Sequence, residues 1–364
     1  MKKRNIVLGL MSGTSADGLT ICAVQISPFK VLAFKNYTYS PRLQKKLLNA
    51  YQLNVAQISA LHYELGALYA QLTLRFLKGF KISASQVEVI GMHGQTIYHG
   101  PHDKTPNTLQ IAEPSFLALQ TGCPVVSDFR AADIALGGEG APLIPFFDEY
   151  IFGKKAPKIL LNLGGIANIS VVGKGVKTFG FDVGPANALL DLACRKYFNK
   201  PFDNDGALGA RGTPDKKYVA RLLHQKYFKQ TPPKSLDKNA FGTRYLQRYF
   251  KAVKNPHDLL ATLAYFTSSC VAQAVINFVP KNCQREMVVS GGGVYNKTII
   301  SFLKELLPHV KITTSESYGI NPQAKESAAF AVMGYLALRK KSNHCARATG
   351  ARKNTILGKI TYAN

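Results

Sequence analysis

Residues Ile6–Ile26 read IVLGLMSGTSADGLTICAVQI, and their order decides the fold class. Ile6–Met11 is an apolar run of strand length. Ser12–Gly18 is a turn-rich loop with two glycines, three hydroxyls and one carboxylate. Leu19–Ile26 is apolar again and reads as a second strand, and Val31–Tyr39 as a third. A dinucleotide-binding opening needs strand, glycine loop and then helix, so a loop that leads into a strand excludes it.

Outward from this opening, helices and strands alternate. Arg42–Phe80 has helical periodicity. Val87–Met92 is a predicted strand running into HGQTIYHG (93–100), Pro114–Thr121 a short helix, and Pro124–Val126 a short strand. Arg130–Phe147, with its GGEGAPLIP, reads as a domain crossing. A second strand, glycine turn and strand then begins: Lys158–Leu163, Asn168–Val172 and Thr178–Phe181, followed by a helix over Ala186–Phe198. Lys200–Lys254 is basic and turn-rich. Asn255–Pro256 pairs a cap residue with a first-turn proline, which starts a helix to about Val279. Glu286–Ser290 is a strand that ends in Gly291–Gly293, Asn296 caps another helix, Val310–Thr313 is a strand, and Asn321–Pro322 opens a last helix to about Lys341. The two halves share one plan, which predicts two related α/β units with a cleft.

The chain has 364 residues, and two domains are the default at roughly 150 residues each. Lys plus Arg is 46 against 21 Asp plus Glu, a net charge of +25. That surplus suits nucleic acid, an anionic surface or phosphate handling, and alone selects none of them. Between Arg195 and Lys254 the basic residues are interleaved with Tyr197, Tyr218, Tyr227, Tyr245 and Tyr249, a pattern that could bind single strands. No RRM, KH or helix-turn-helix signature accompanies it, so a solvated basic face is the preferred reading. Six cysteines at irregular spacing, none in a CxxC pair, argue against a disulfide framework or zinc ribbon and predict a cytoplasmic protein. The first apolar run is too short for a signal peptide, and no stretch nears ~20 apolar residues.

Three glycine turns could carry chemistry. Met11–Gly18 offers backbone N–H groups and hydroxyls to an anion, and Asp17 could hold Mg²⁺ or its waters; an ordinary hairpin loop has the same composition. Asp182 in GFDVGPAN (180–187) stands at a predicted strand end before a helix, where a catalytic carboxylate and a mere cap are both reasonable. Gly291–Gly293 leaves a flat backbone surface for an adenine, or forms a plain strand-to-helix turn. No P-loop and no complete G-x-G-x-x-G occurs. His93 and His99 lack further ligands for zinc and are expected to be hydrogen-bonding histidines.

Taken in order, MSGTSADG (11–18), HGQTIYH (93–99), SDFRAADIALGGEGAPLIP (127–145), NLGGIANIS (162–170), GFDVGPANALLD (180–191), SGGGVYN (290–296) and AKESAAFA (324–331) resemble the 1,6-anhydro-N-acetylmuramic acid kinase family. The likeness runs from about residue 6 to about residue 360. It implies the actin, hexokinase and heat-shock chaperone superfamily: an α/β protein of two RNase H-like domains with a central nucleotide and sugar cleft. Domain boundaries are expected at 1–130 plus 329–364 and at 131–328. The implied reaction adds water at the anomeric carbon of the anhydro sugar and the γ-phosphoryl group of ATP at O6, in cell-wall recycling. By the family pattern Asp182 is the base that deprotonates water. Gly13, Thr14, Ser15, Ala16, Asp17, Gly18, Leu19 and Thr20 hold the ATP phosphates. Asn162, Gly164, Gly165 and Asn168 form a second phosphate-facing turn, and Gly291, Gly292 and Gly293 lie against the nucleoside. Gln95, Thr96, Ser127, Arg130 and Glu326 serve the sugar; for Arg130 the lactyl carboxylate suits a guanidinium fork. ATP and Mg²⁺, the latter at Asp17, are the implied cofactors.

The chain departs from the family pattern at Thr20, where Asp is usual, at Glu139, where Gln is usual, near Asp148, and in the turns Asp205–Gly212 and Pro232–Lys238. A small anhydro amino sugar is the expected partner, with no nucleic acid and no membrane, and the resemblance carries an expectation of a homodimer. The alternatives are a kinase of the same superfamily acting on another sugar, and a basic binding protein on an inactive kinase scaffold.

Overall fold

A computed structural model describes residues 5–232, 234, 236 and 240–363. The expected Pro232–Lys238 turn falls largely outside them. The strands are β1 (Ile6–Ser12), β2 (Gly18–Gln25), β3 (Lys30–Thr38), β4 (Val87–Gly100), β5 (Asn107–Ile111), β6 (Val125–Ser127), β7 (Lys158–Leu163), β8 (Ile166–Val172), β9 (Phe179–Pro185), β10 (Glu286–Ser290), β11 (Lys311–Thr314) and β12 (Lys359–Thr361). They form two sheets, ordered β12-β6-β4-β1-β2-β3, with β5 on β4, and β11-β10-β7-β8-β9. In each, three consecutive antiparallel strands are followed by strands that pair parallel to the first. Counted within its unit, the second sheet runs 3-2-1-4-5; the first shares the 3-2-1-4 arrangement and continues through β6 and β12.

The chain divides into two compact units, Met1–Phe147 with Gly319–Asn364, and Asp148–Tyr318. These divisions fall at 147/148 and 318/319, against the expected 130/131 and 328/329. The glycine-rich stretch after Arg130 folds back on the first unit: Glu139 N–H donates to Thr349 O at 2.8 Å and Gly140 N–H to Asp133 Oδ2 at 2.5 Å.

In the first unit, β1 is apolar from Ile6 to Met11 because both sheet faces are covered. One face packs Leu8, Leu10 and Ile21 against Leu61, Leu65 and Tyr69 of the helix Val55–Gly79. That helix starts in a capping box between Asn54 and Gln57, so the expected single helical stretch from Arg42 is two helices, Pro41–Leu48 and Val55–Gly79. On the other face the helix Lys325–Leu338 lies on bare backbone. A Cβ on Gly91 would stand 1.9 Å from Phe330 O, which is why glycines interrupt these strands. This helix starts three residues later than expected, because Asn321 accepts from Gln323 N–H and Ala324 N–H and makes a turn first. β4 runs on through HGQTIYHG, since β5 supplies it with an antiparallel neighbour.

The second unit packs its sheet on the helices Asn187–Phe198 and Pro256–Phe278. Asn255 Oδ1 caps the latter through His257 N–H at 2.9 Å. By length and composition that helix could cross a membrane, but 83% of its apolar window is buried in the unit.

Candidate active site

In the first unit the loop between β1 and β2 is held from beneath. Ser12 and Gln95 are register partners on β1 and β4, and Ser12 Oγ donates to Gln95 Oε1 at 2.6 Å. Gln95 Nε2 donates to Gly13 O at 3.0 Å and to Thr96 O at 3.2 Å. Tyr39, whose hydroxyl is pushed up to about 12 by burial, donates to Ser12 Oγ at 3.0 Å and lies 2.9 Å from the Tyr69 hydroxyl. Gln95 is 1% exposed and both amide hydrogens are engaged, so it shapes the loop rather than reaching outward. Ala16 and Leu19 are core, while Thr14, Ser15 and Asp17 are exposed. Ala16 adopts a left-handed φ of 50° and donates its N–H to Gly13 O at 3.1 Å, closing a tight turn. Thr20 points to Asn36, whose Oδ1 accepts its hydroxyl at 2.6 Å.

Arg130 begins a second cluster in the same unit. Its Nε–H donates to His93 Nε2 at 3.0 Å and its Nη1 to Gly140 O at 3.0 Å. Burial, with the Arg130 charge second, lowers His93 to about 3, so the imidazole is neutral; its Nδ1–H donates to Gly94 O at 2.9 Å and its Nε2 is the acceptor. Burial lowers Arg130 itself to about 10, with Glu326 and Asp133 opposing. Burial raises Glu326, and the Asp17 charge adds to that rise, while Lys325 and Arg130 oppose it. Asp17, Arg130 and Glu326, three sequence-predicted residues, thus share one electrostatic neighbourhood. Thr96 accepts from Gln110 Nε2 at 3.3 Å, and Ser127 ends β6 opposite Lys359.

In the second unit a polar row crosses the sheet. Ser290, Asn162, Asn168 and Asp182 are successive register partners on β10, β7, β8 and β9. Partners in register point to one face, and here it is the face away from Leu161, Leu163, Ile169 and Val183 of the core. Asp182 lies within β9 rather than at its end. The pairing slips between Ala167 and Asn168, so Val183 is bulged out of register, and a bulge re-aims the neighbouring side chain. Asp182 Oδ2 accepts Leu236 N–H at 2.9 Å. Its backbone is clamped as well: Asp182 N–H donates to Lys234 O at 3.1 Å, and the Tyr227 hydroxyl donates to Asp182 O at 2.6 Å.

The Gly164–Gly165 turn gives its carbonyls to Ala186, Asn187 and Ala188, so it caps the following helix. Gly291 and Gly293 are demanded by close approach to the end of β7. Their Cβ atoms would stand 2.7 Å from Leu163 O and 2.6 Å from Leu163 Cβ respectively, while Gly292 alone of the three is exposed, and a Cβ there would meet only Asn187 Nδ2 at 3.9 Å.

Sequence reasoning took Ser12 only as one of the loop's three hydroxyls, and it missed the parts played by Tyr39, Tyr227 and Lys234. The two tyrosines and Lys234 had no signal distinguishing them from core or surface. Tyr227 and Lys234 belong to the stretch read as a solvated basic face, yet Lys234 lies over the rings of Tyr227 and Phe278 and supports Asp182. Among the described residues no group of three His, Cys, Asp or Glu could hold a metal by itself.

Residues 5–363 match the family described as anhydro-N-acetylmuramic acid kinase. The chain is 34% identical over 386 residues to the anhydro-N-acetylmuramic acid kinase of Caldanaerobacter subterraneus subsp. tengcongensis, covering 99% of this chain and 98% of that one. It is 37% identical over 362 residues to the protein of that name in Coxiella burnetii, covering 98% and 97%. Among solved structures, component A of the (R)-2-hydroxyglutaryl-CoA dehydratase of Acidaminococcus fermentans aligns at 13% identity and a TM-score of 0.46, covering 92% of this chain and 100% of that one. A ROK family glucokinase from Streptomyces griseus in complex with glucose and AMPPNP aligns at 12% identity and 0.43, covering 91% and 99%.

Proposed function

This chain belongs to the anhydro-N-acetylmuramic acid kinase family, and on that premise we propose how its residues divide the work. The enzyme is a phosphotransferase acting on the anhydro amino sugar of cell-wall turnover, with ATP as donor. Water attacks the anomeric carbon, the C1–O6 bond breaks, and O6 takes the γ-phosphoryl group with loss of ADP. The proton from water goes to a carboxylate base, as in inverting glycoside hydrolysis. The leaving oxygen needs no acid because the phosphoryl group receives it.

Asp182 is that base. The observation that most supports it is the β-bulge, which sets a half-buried carboxylate in a row of uncharged polar side chains while Leu236 N–H, Lys234 O and Tyr227 fix its place. Thr14, Ser15 and the backbone around Gly13 contact phosphates, and the Gln95–Ser12 pair keeps that loop in shape. Asn162 and Asn168 give a second set of amide contacts, and Gly292 meets the nucleoside. Arg130 receives the lactyl carboxylate. Two of its five donors are committed to His93 and Gly140, and the others remain for a fork.

A magnesium ion usually enters such sites on the substrate phosphates with one or two carboxylates and several waters. One exposed carboxylate, Asp17, beside exposed hydroxyls fits that donor set. The ion would neutralise phosphate charge there. We assign the two compact units as the two domains and the enzyme to the cytoplasm.

The test is ADP release with the anhydro sugar against a panel of free hexoses. Turnover is expected only with the anhydro sugar. In Arg130→Ala the KM should rise chiefly for substrates that carry the lactyl group; an equal rise without it would remove the carboxylate contact.

A further inference from the structure

Asp133 is fully buried, and its carboxylate is engaged on three sides. Oδ1 lies 2.5 Å from His344 Nε2 and accepts the Thr349 hydroxyl at 2.5 Å, and Oδ2 accepts Gly140 N–H at 2.5 Å. Burial alone would raise this carboxyl; the bonds from His344, Thr349 and Gly140 outweigh it and hold it below the usual range. His344 and Thr349 belong to the segment that follows the helix Lys325–Leu338. Asn343 clasps that segment into a loop, donating to Met333 O and Leu357 O and accepting Leu357 N–H. Two backbone bonds, Glu139 N–H to Thr349 O and Arg352 N–H to Leu136 O, lay it against the glycine-rich stretch. The result is a C-terminal strap.

A buried carboxylate, even one that is hydrogen-bonded, is often no better for stability than an apolar replacement of its volume. Here the His344 Nδ1 is also buried without a hydrogen-bond partner, an arrangement that costs free energy. What the cluster does fix is Gly140. That residue has a φ of +70°, its N–H is anchored on Asp133, and its carbonyl accepts Arg130 Nη1 at 3.0 Å.

We propose that Asp133, His344 and Thr349 are positioning residues for Arg130: through Gly140 the C-terminal strap sets the guanidinium that receives the sugar carboxylate. The proposal rests on the reading of Arg130 given above, and two separate measurements keep them apart. One is steady-state kinetics of the full chain with anhydro sugar and ATP. The other is the Arg130 Nε–H resonance in protein labelled with ¹⁵N-arginine, which reports the bond to His93 without any substrate.

In His344→Leu the KM for the anhydro sugar should rise about tenfold, the loss of one charge-assisted contact, with kcat and the KM for ATP within about twofold. The Arg130 Nε–H signal should shift and exchange faster with solvent. His344→Gln, whose amide can still donate to Asp133, should restore both. A merely structural role would lower the melting temperature and leave the resonance and the KM split alone. An unmoved Arg130 signal in His344→Leu would overturn the proposal. A moved signal with an unchanged sugar KM would uphold the positioning and remove the carboxylate reading instead. Should His344→Leu fail to fold, Thr349→Val, which deletes a single bond to Asp133, carries the same two measurements.

Discussion

Replacing Asp182 by Asn separates chemistry from folding. The carboxylate holds part of the fold, since Oδ2 accepts Leu236 N–H at 2.9 Å, and an amide oxygen can keep that bond. Trading a charged for a neutral acceptor there costs about 1 kcal/mol, or a melting shift of about 2–4 °C for a unit of this size. The amide cannot take a proton from water, and a positioned base contributes roughly 10²–10⁴ in rate. The barrier should therefore rise by about 3–5 kcal/mol. Asp182→Ala leaves Leu236 N–H without its acceptor and should be less stable by a further ~1–3 kcal/mol at similar activity. The assay is ADP release at saturating ATP and anhydro sugar, beside thermal melts of both variants. A folded Asp182→Asn enzyme that keeps more than about a tenth of the wild-type kcat would refute the assignment of the base, since that loss is far below what a base supplies.

Gln95→Ala should raise the KM for ATP roughly five- to hundredfold, from one to two lost hydrogen bonds under the first loop, and the KM for the sugar much less; steady-state kinetics with each substrate varied decides it. Gly91→Ala should destabilise the first unit by about 3 kcal/mol or more, because the new methyl group meets the Phe330 carbonyl, a backbone atom that cannot swing away; urea unfolding measures it. His93 supplies a pH signature. Its folded value of about 3 lies below the ordinary value near 6.5, so unfolded chains bind the extra proton. The stability this gives is present above about pH 6.5 and is lost as pH falls towards 3, at up to about 1.4 kcal/mol per pH unit. His93→Gln should flatten the plot of unfolding free energy against pH over that window, and an unchanged slope would contradict the neutral imidazole.

How much was legible in the residues differs between elements. Strand, glycine loop and strand could be read at both openings because alternation, apolar runs and turn residues are local properties. β5 and β12 escaped notice because neither has an apolar run of its own; each exists as a partner for a strand elsewhere, β4 and β6. The same holds at the site. Motif order pointed to Asp182, Arg130 and the first loop, and it placed Gln95 with the sugar. The register of β1 against β4 places Gln95 under the loop instead, a relation between residues 83 apart in sequence.

The amino-acid order by itself determined the class of fold, the two matching openings and the residues in which chemistry could reside, since these follow from periodicity and from which side chains can bind anions or move protons. Tertiary structure alone decided what holds those residues in place: the slip in pairing that aims Asp182, the tyrosines beneath the first loop, and the strap behind Arg130. Such contacts join segments distant along the chain, and packing, not local propensity, selects them.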